Sequence, residues 1–114
     1  MVYFAFGIAP SMFPINCTIQ RNAVSAEYVR RLVELNCLVP VLNPSHKATI
    51  TAMRERYGID MPIPEKAPQV LLGIMDSVVV MGVLGLPRLQ DRHEYTREEV
   101  EGARFDFSLF TVIE

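Results

Sequence analysis

Cysteine is scarce in this 114-residue chain. The two present, Cys17 and Cys37, form no Cys-x-x-Cys pair and have no histidine at a spacing suited to zinc. Metal dependence therefore has no support in the sequence, and a reducing, cytoplasmic setting is expected. Also missing is any apolar run long enough to span a bilayer. Val2–Phe6 is apolar, but no basic residue precedes it, so it reads as a strand rather than a signal peptide. Positive charge is not in surplus either. Eleven Lys and Arg against thirteen Asp and Glu leave a formal charge of −2, with an isoelectric point near 5.7. Long nucleic acids are held by a basic face that releases counterions, so no long nucleic acid is expected as a partner. A small anionic ligand in a locally positive pocket remains compatible with this balance. There is no Gly-x-x-x-x-Gly-Lys phosphate loop and no Gly-x-Ser-x-Gly elbow.

What is present is apolar material. Half of the residues are hydrophobic and the mean hydropathy is +0.21, which excludes a disordered chain and suffices for one domain over residues 1–114. Six Met, six Phe and four Tyr exceed what a small core needs. A homodimer is the commonest way to cover such a surplus.

The hydrophobic pattern places strands at Val2–Ile8, Asn16–Gln20 and Cys37–Leu42, the last with Pro40 inside it and so at an edge or a bulge. Two more are expected at Gln69–Ile74 and Ser77–Val83, and a closing strand where Phe105, Phe107 and Leu109 alternate. A first helix begins at Ser25, with Tyr28, Val29, Leu32 and Val33 at helical spacing. A second runs from Ser45 to about Tyr57 and stops at Gly58. Its buried stripe is Ile50, Met53 and Tyr57. Thr96 and Glu99 match a capping box for a short third helix ending near Gly102. The expected fold is a single α/β domain with a mixed sheet of five or six strands and about three helices.

Chemistry is suggested at the handover from strand to second helix, Asn43-Pro44-Ser45-His46-Lys47. Pro44 keeps Asn43 out of helical geometry. Ser45 is then expected as the capping residue and His46 as the first helical one. A helix start carries partial positive charge and unpaired donors, which attract phosphate. A titratable ring beside a phosphate is what proton transfer to a phosphodiester requires. The alternative for His46 is a partly exposed surface histidine. In the charged loop Gly85–Tyr95, Arg88 offers a planar fork for phosphate. Asp91 there could orient an imidazole or hold a ribose hydroxyl, whereas His93 reads as a surface residue. Read alone, this loop is first a solvated charged turn. The loops around Ser11 and Lys66 are a third place for ligand contacts.

Three segments in order resemble the viral ring nucleases that act as type III anti-CRISPR proteins. They are His46-Lys47-Ala48-Thr49 opening a helix to Tyr57-Gly58 with a Met61-Pro62 step, the strand Asp76–Val80, and Arg88-Leu89 followed by Tyr95–Val100 and an aromatic strand. They span about residues 43–114; the N-terminal third matches only by a strand, a polar loop and a helix. The resemblance implies a two-fold dimer binding cyclic tetra-adenylate across its interface, and metal-independent cleavage to linear oligoadenylates. It implies His46 as general acid and Arg88 as stabiliser of the scissile phosphate. Asp91 stands where members usually carry glutamate. Lys66 lies near a position that is often arginine, and Ser11 near a polar loop residue that contacts the ligand; Ser45 adjoins the histidine as a further substrate contact. Two other functions fit the same residues: a protein that sequesters a cyclic nucleotide without cutting it, and a viral or mobile-element protein that binds a host factor.

Overall fold

The computed structural model describes residues 1–66, 68–84 and 96–114. The parallel part of its sheet is organised by a strand with no charged side chain. β1 (Val2–Ala5) lies between two parallel neighbours, β3 (Leu38–Pro40) and β4 (Ser77–Leu84). β5 (Arg104–Val112) runs antiparallel to β4, and β2 (Ile19–Val24) antiparallel to β5. The five strands form one mixed sheet in the order β2-β5-β4-β1-β3. Pro40 sits on an edge strand, where its missing N–H costs no ladder bond.

Three helices complete the α/β domain: α1 (Ala26–Glu34), α2 (Lys47–Tyr57) and α3 (Arg97–Glu101). Ser25 caps α1, its hydroxyl accepting from Tyr28 N–H at 3.0 Å. Thr96 and Glu99 form the expected reciprocal capping box of α3. Gly58 ends α2 in the left-handed region at φ 67°. That conformation lets Gly58 N–H reach Arg54 O and Ile59 N–H reach Met53 O. Among the described residues, no helix is long and apolar enough to cross a membrane.

The pleat sends alternate residues to opposite faces. Phe4, Val79, Met81 and Phe107 pack on one face against Val29 of α1 and Met53 of α2. Ala5, Val78 and Val112 face the other way, where Val70 and Leu72 cover them together with Met12, Phe13 and Cys17. One face thus carries helices and the other irregular chain.

Four expectations are corrected. Gln69–Ile74 is not a strand: its exposed–buried alternation arises because Val70 and Leu72 are pressed onto a sheet face, with Leu72 N–H bonded to Met12 O at 2.7 Å. β2 begins at Ile19 rather than Asn16, whose φ of 58° belongs to a turn. β1 stops at Ala5, not Ile8, because Phe6 and Gly7 leave the sheet at its carboxyl end. Tyr28 is 41% exposed; Val29 takes the buried position on α1.

Candidate functional site

Parallel strands that end side by side leave a crevice beyond their carboxyl ends, the usual ligand position in α/β sheets. Here β1 and β3 end together, and Val41 N–H still bonds to Phe4 O at 2.9 Å. Beyond that bond the two chains part. Ala5, Phe6 and Gly7 form one wall of a cleft of about 250 Å³, and Val41, Leu42, Asn43 and His46 the other.

Local chemistry places His46 at the mouth. Asn43 Oδ1 accepts from Ser45 N–H at 2.9 Å, and Asn43 O accepts from His46 N–H at 3.1 Å. This double turn across Pro44 delays the helix by one residue. His46, with φ −81° and ψ 53°, is itself the capping residue, and its side chain makes no capping bond. The expectation that Ser45 caps and His46 is the first helical residue is therefore corrected: the short Asn43 side chain competes successfully for the Ser45 amide. The His46 side chain is thereby left out of the capping role, and its ring stays at the mouth of the cleft.

The His46 imidazole is half-buried and lies 6.0 Å from the Phe6 ring, centroid to centroid, at 36°. Neither ring nitrogen has a hydrogen-bond partner among the described residues. A ring held by packing, with both nitrogens open, can meet a ligand as donor or acceptor.

A second chamber of about 210 Å³ adjoins the first and shares Ala5, Gly7 and Val41 with it. Ser11, carried on a 3₁₀ turn at Pro10–Met12, lines this chamber together with Gln69. The structure thus brings Ser11 and His46 to adjoining compartments from positions 35 residues apart (46 minus 11). Ser45 and Lys66 are exposed and line neither compartment. Arg88, Asp91 and His93 lie outside the described residues. Among the described residues, no three His, Cys, Asp or Glu side chains gather as a metal site requires.

Two larger grooves, about 350 Å³ and 400 Å³, lie along α2 away from the His46 ring. The first runs between α2 and α3 and carries Lys47 and Glu55 opposite Arg97 and Glu101. The Arg97 guanidinium is already paired with Glu101 at 3.1 Å. Size alone does not make either groove the better site, because neither holds an imidazole.

No family model matches the chain, and no curated protein matches it. Its fold is similar to that of B116 of Sulfolobus turreted icosahedral virus (STIV). The two share a TM-score of 0.65 over 96% of this chain and 97% of that chain, with 16% sequence identity. At that identity the likeness is one of fold, here the fold of a viral protein.

Sequence reasoning did not single out Asn43, Phe6, Gly7 or Gln69. Asn43 carried a legible signal, an Asn two residues before a serine across a proline, which favours a side-chain turn. The other three acquire meaning only when the ends of β1 and β3 are seen together.

Proposed function

We propose that the protein is a ring nuclease that cleaves a cyclic oligoadenylate, taken as cyclic tetra-adenylate, without a metal ion. In this reading it antagonises type III CRISPR immunity in the cytoplasm of a host cell. The observation that carries the reading is the placement of His46: an imidazole whose nitrogens have no partner among the described residues, at the start of α2, on a cleft at the end of a parallel strand. The likeness to the fold of a viral protein and the resemblance of residues 43–114 to the viral ring nucleases support it.

The chemistry is a transesterification. A ribose 2′-oxygen attacks the adjoining phosphorus in line, the P–O2′ bond forms and the P–O5′ bond breaks. The 2′ proton passes to solvent. Imidazolium at His46 gives its proton to the departing 5′-oxygen, which leaves as a hydroxyl. The product is a linear oligoadenylate with a 2′,3′-cyclic phosphate. The amino-terminal end of α2 adds the partial positive charge of its aligned peptide dipoles beside the phosphate. Arg88 adds charge to the scissile phosphate and Asp91 orients the imidazole or the 2′-hydroxyl, as the resemblance implies. Ser11 holds the ligand from the adjoining chamber, with Ser45 and Lys66 at the periphery. In a two-fold homodimer the ring lies across the axis and meets two copies of His46.

Single-turnover cleavage with and without His46→Ala tests the proposal. The variant is expected to bind the ring and to cut about 10²–10⁴-fold more slowly. The wild-type rate should follow an ionisable group across pH. An unaltered rate in the variant removes His46 from the reaction. The aspartate at position 91 favours one second reading, sequestration without cleavage. Recovery of the intact ring from a tight, metal-free complex with the wild-type protein would decide for it.

A further inference from the structure

The proposed reaction needs the His46 imidazole at one place on the cleft, and ordinary helical geometry would put it at another. His46 has ψ 53°, outside the helical range. That angle sets the direction of its Cβ relative to α2. The ring therefore sits where it does because something keeps His46 out of the helix.

Two bonds do so, and both come from Asn43. Its backbone oxygen accepts from His46 N–H at 3.1 Å, and its Oδ1 accepts from Ser45 N–H at 2.9 Å. Pro44, with φ fixed by its ring, suits the second position of such a turn, and asparagine suits the first. Both ends of the turn are anchored. Leu42 before it is 1% exposed. After it, His46 O accepts from Ile50 N–H at 3.0 Å, and Thr49 and Ile50 are buried. Asn43 itself is exposed, so its side chain adds little to the core. What it supplies is an acceptor for one amide.

Without that acceptor the Ser45 amide loses its partner, and the Ser45 hydroxyl is suited to cap the first turn. The helix then starts one residue earlier. Ser45 caps it, His46 turns to a helical ψ of about −40°, and the imidazole leaves the Phe6 ring that it now meets at 6.0 Å. We infer that Asn43 is a positioning residue of the site: its Oδ1 selects between two starts of α2, and the start it selects holds the His46 imidazole beside Phe6 at the cleft. Asn43 acts through His46 and transfers no proton. The inference rests on the ring-nuclease reading and goes beyond it, to the residue that aims the acid.

Asn43→Leu and Asn43→Ser test this. Leucine matches asparagine in shape and lacks the acceptor, whereas serine keeps one on a shorter arm. Asn43→Leu is expected to bind cyclic tetra-adenylate with unchanged affinity in rapid-mixing titration. In single-turnover assays it should cut the ring about 10–100-fold more slowly, with a pH profile of unchanged shape. Asn43→Ser should recover part of the rate. Two readouts need no ligand: the proton NMR cross-peak between the His46 and Phe6 rings, and slow exchange of the Ser45 amide. Both should be lost in Asn43→Leu and kept in Asn43→Ser. A wild-type rate in Asn43→Leu, or a slower rate with cross-peak and protection intact, overturns the positioning role and leaves the nuclease reading standing. A wild-type protein that cuts no ring overturns the nuclease reading, and the two NMR readouts then decide by themselves whether Asn43 sets His46.

Discussion

The ring of Phe6 and the imidazole of His46 face each other at 6.0 Å across the end of β1, tilted by 36°. Phe6 in turn meets Phe4 edge-on at 6.1 Å, and Phe4 is fully buried. The imidazole is thus braced on the core through two aromatic steps rather than by a hydrogen bond. Orientation by packing leaves both nitrogens available, which a proton donor needs.

Phe6→Leu is expected to retain most of the apolar contact and cost less than about 1.5 kcal/mol in urea unfolding. It removes the flat surface against the imidazole. In the proposed nuclease reaction, single-turnover cleavage should fall about 10–100-fold, the effect of a misplaced reacting group, with little change in ring affinity. A rate equal to wild type would show that Phe6 does not set the imidazole.

Met75 adopts φ 70° in a turn closed by Asp76 N–H to Gly73 O at 3.0 Å, and its side chain is 68% exposed. A non-glycine residue there carries about 1 kcal/mol of strain or more. Asparagine tolerates the region better. Met75→Asn should raise unfolding free energy by about 1 kcal/mol, whereas Gly58→Ala should lower it by about 1–2 kcal/mol. Chemical denaturation measures both.

Gly82 of β4 is paired with Asp106 of β5, and a Cβ on Gly82 would overlap the Asp106 carboxylate. Replacing glycine by alanine in a strand ordinarily stabilises by reducing unfolded-state entropy. Here the Asp106 carboxylate must first rotate away, which offsets that gain, so Gly82→Ala is expected to be within about 0.5 kcal/mol of neutral. Asp106→Ala should relieve the clash, giving a coupling of about 0.5–3 kcal/mol in a double-mutant cycle. Additive effects would refute the contact.

Asp76 holds the same turn by accepting from Gly73 N–H at 2.9 Å, and it also meets the Met1 ammonium at 3.1 Å. The Gly73 bond first, and then the amine, hold its carboxyl below the usual value of 3.8. A carboxyl with a depressed folded value stabilises fully above its unfolded value. That stability fades as pH falls through the lower folded value. Asp76→Asn should therefore cost about 1 kcal/mol at neutral pH and flatten the stability profile below about pH 4. Urea midpoints measured from pH 2 to pH 7 check this.

Much was legible in the sequence because it depends on near neighbours. Capping at Ser25 and Thr96 and the stop at Gly58 each involve groups within a few residues. The apolar run of β1 and the edge placement of Pro40 follow from composition. So does a histidine at the handover from β3 to α2; Ser11, the other lining residue named beforehand, came from the resemblance and from its polar loop. Tertiary structure decided the rest. Strand order depends on pairings such as Val2 with Ser77, 75 residues apart (77 minus 2). Val70 and Leu72 alternate like a strand, and only the sheet beneath them shows that they cap a face instead. Ser11 and Gln69 join the compartment beside His46 because Leu72 is bonded to Met12 and because β1 and β3 end side by side. Short-range hydrogen bonds and periodicity act within a turn or two of chain and are written there; a cleft is the sum of long-range contacts, which no local pattern contains.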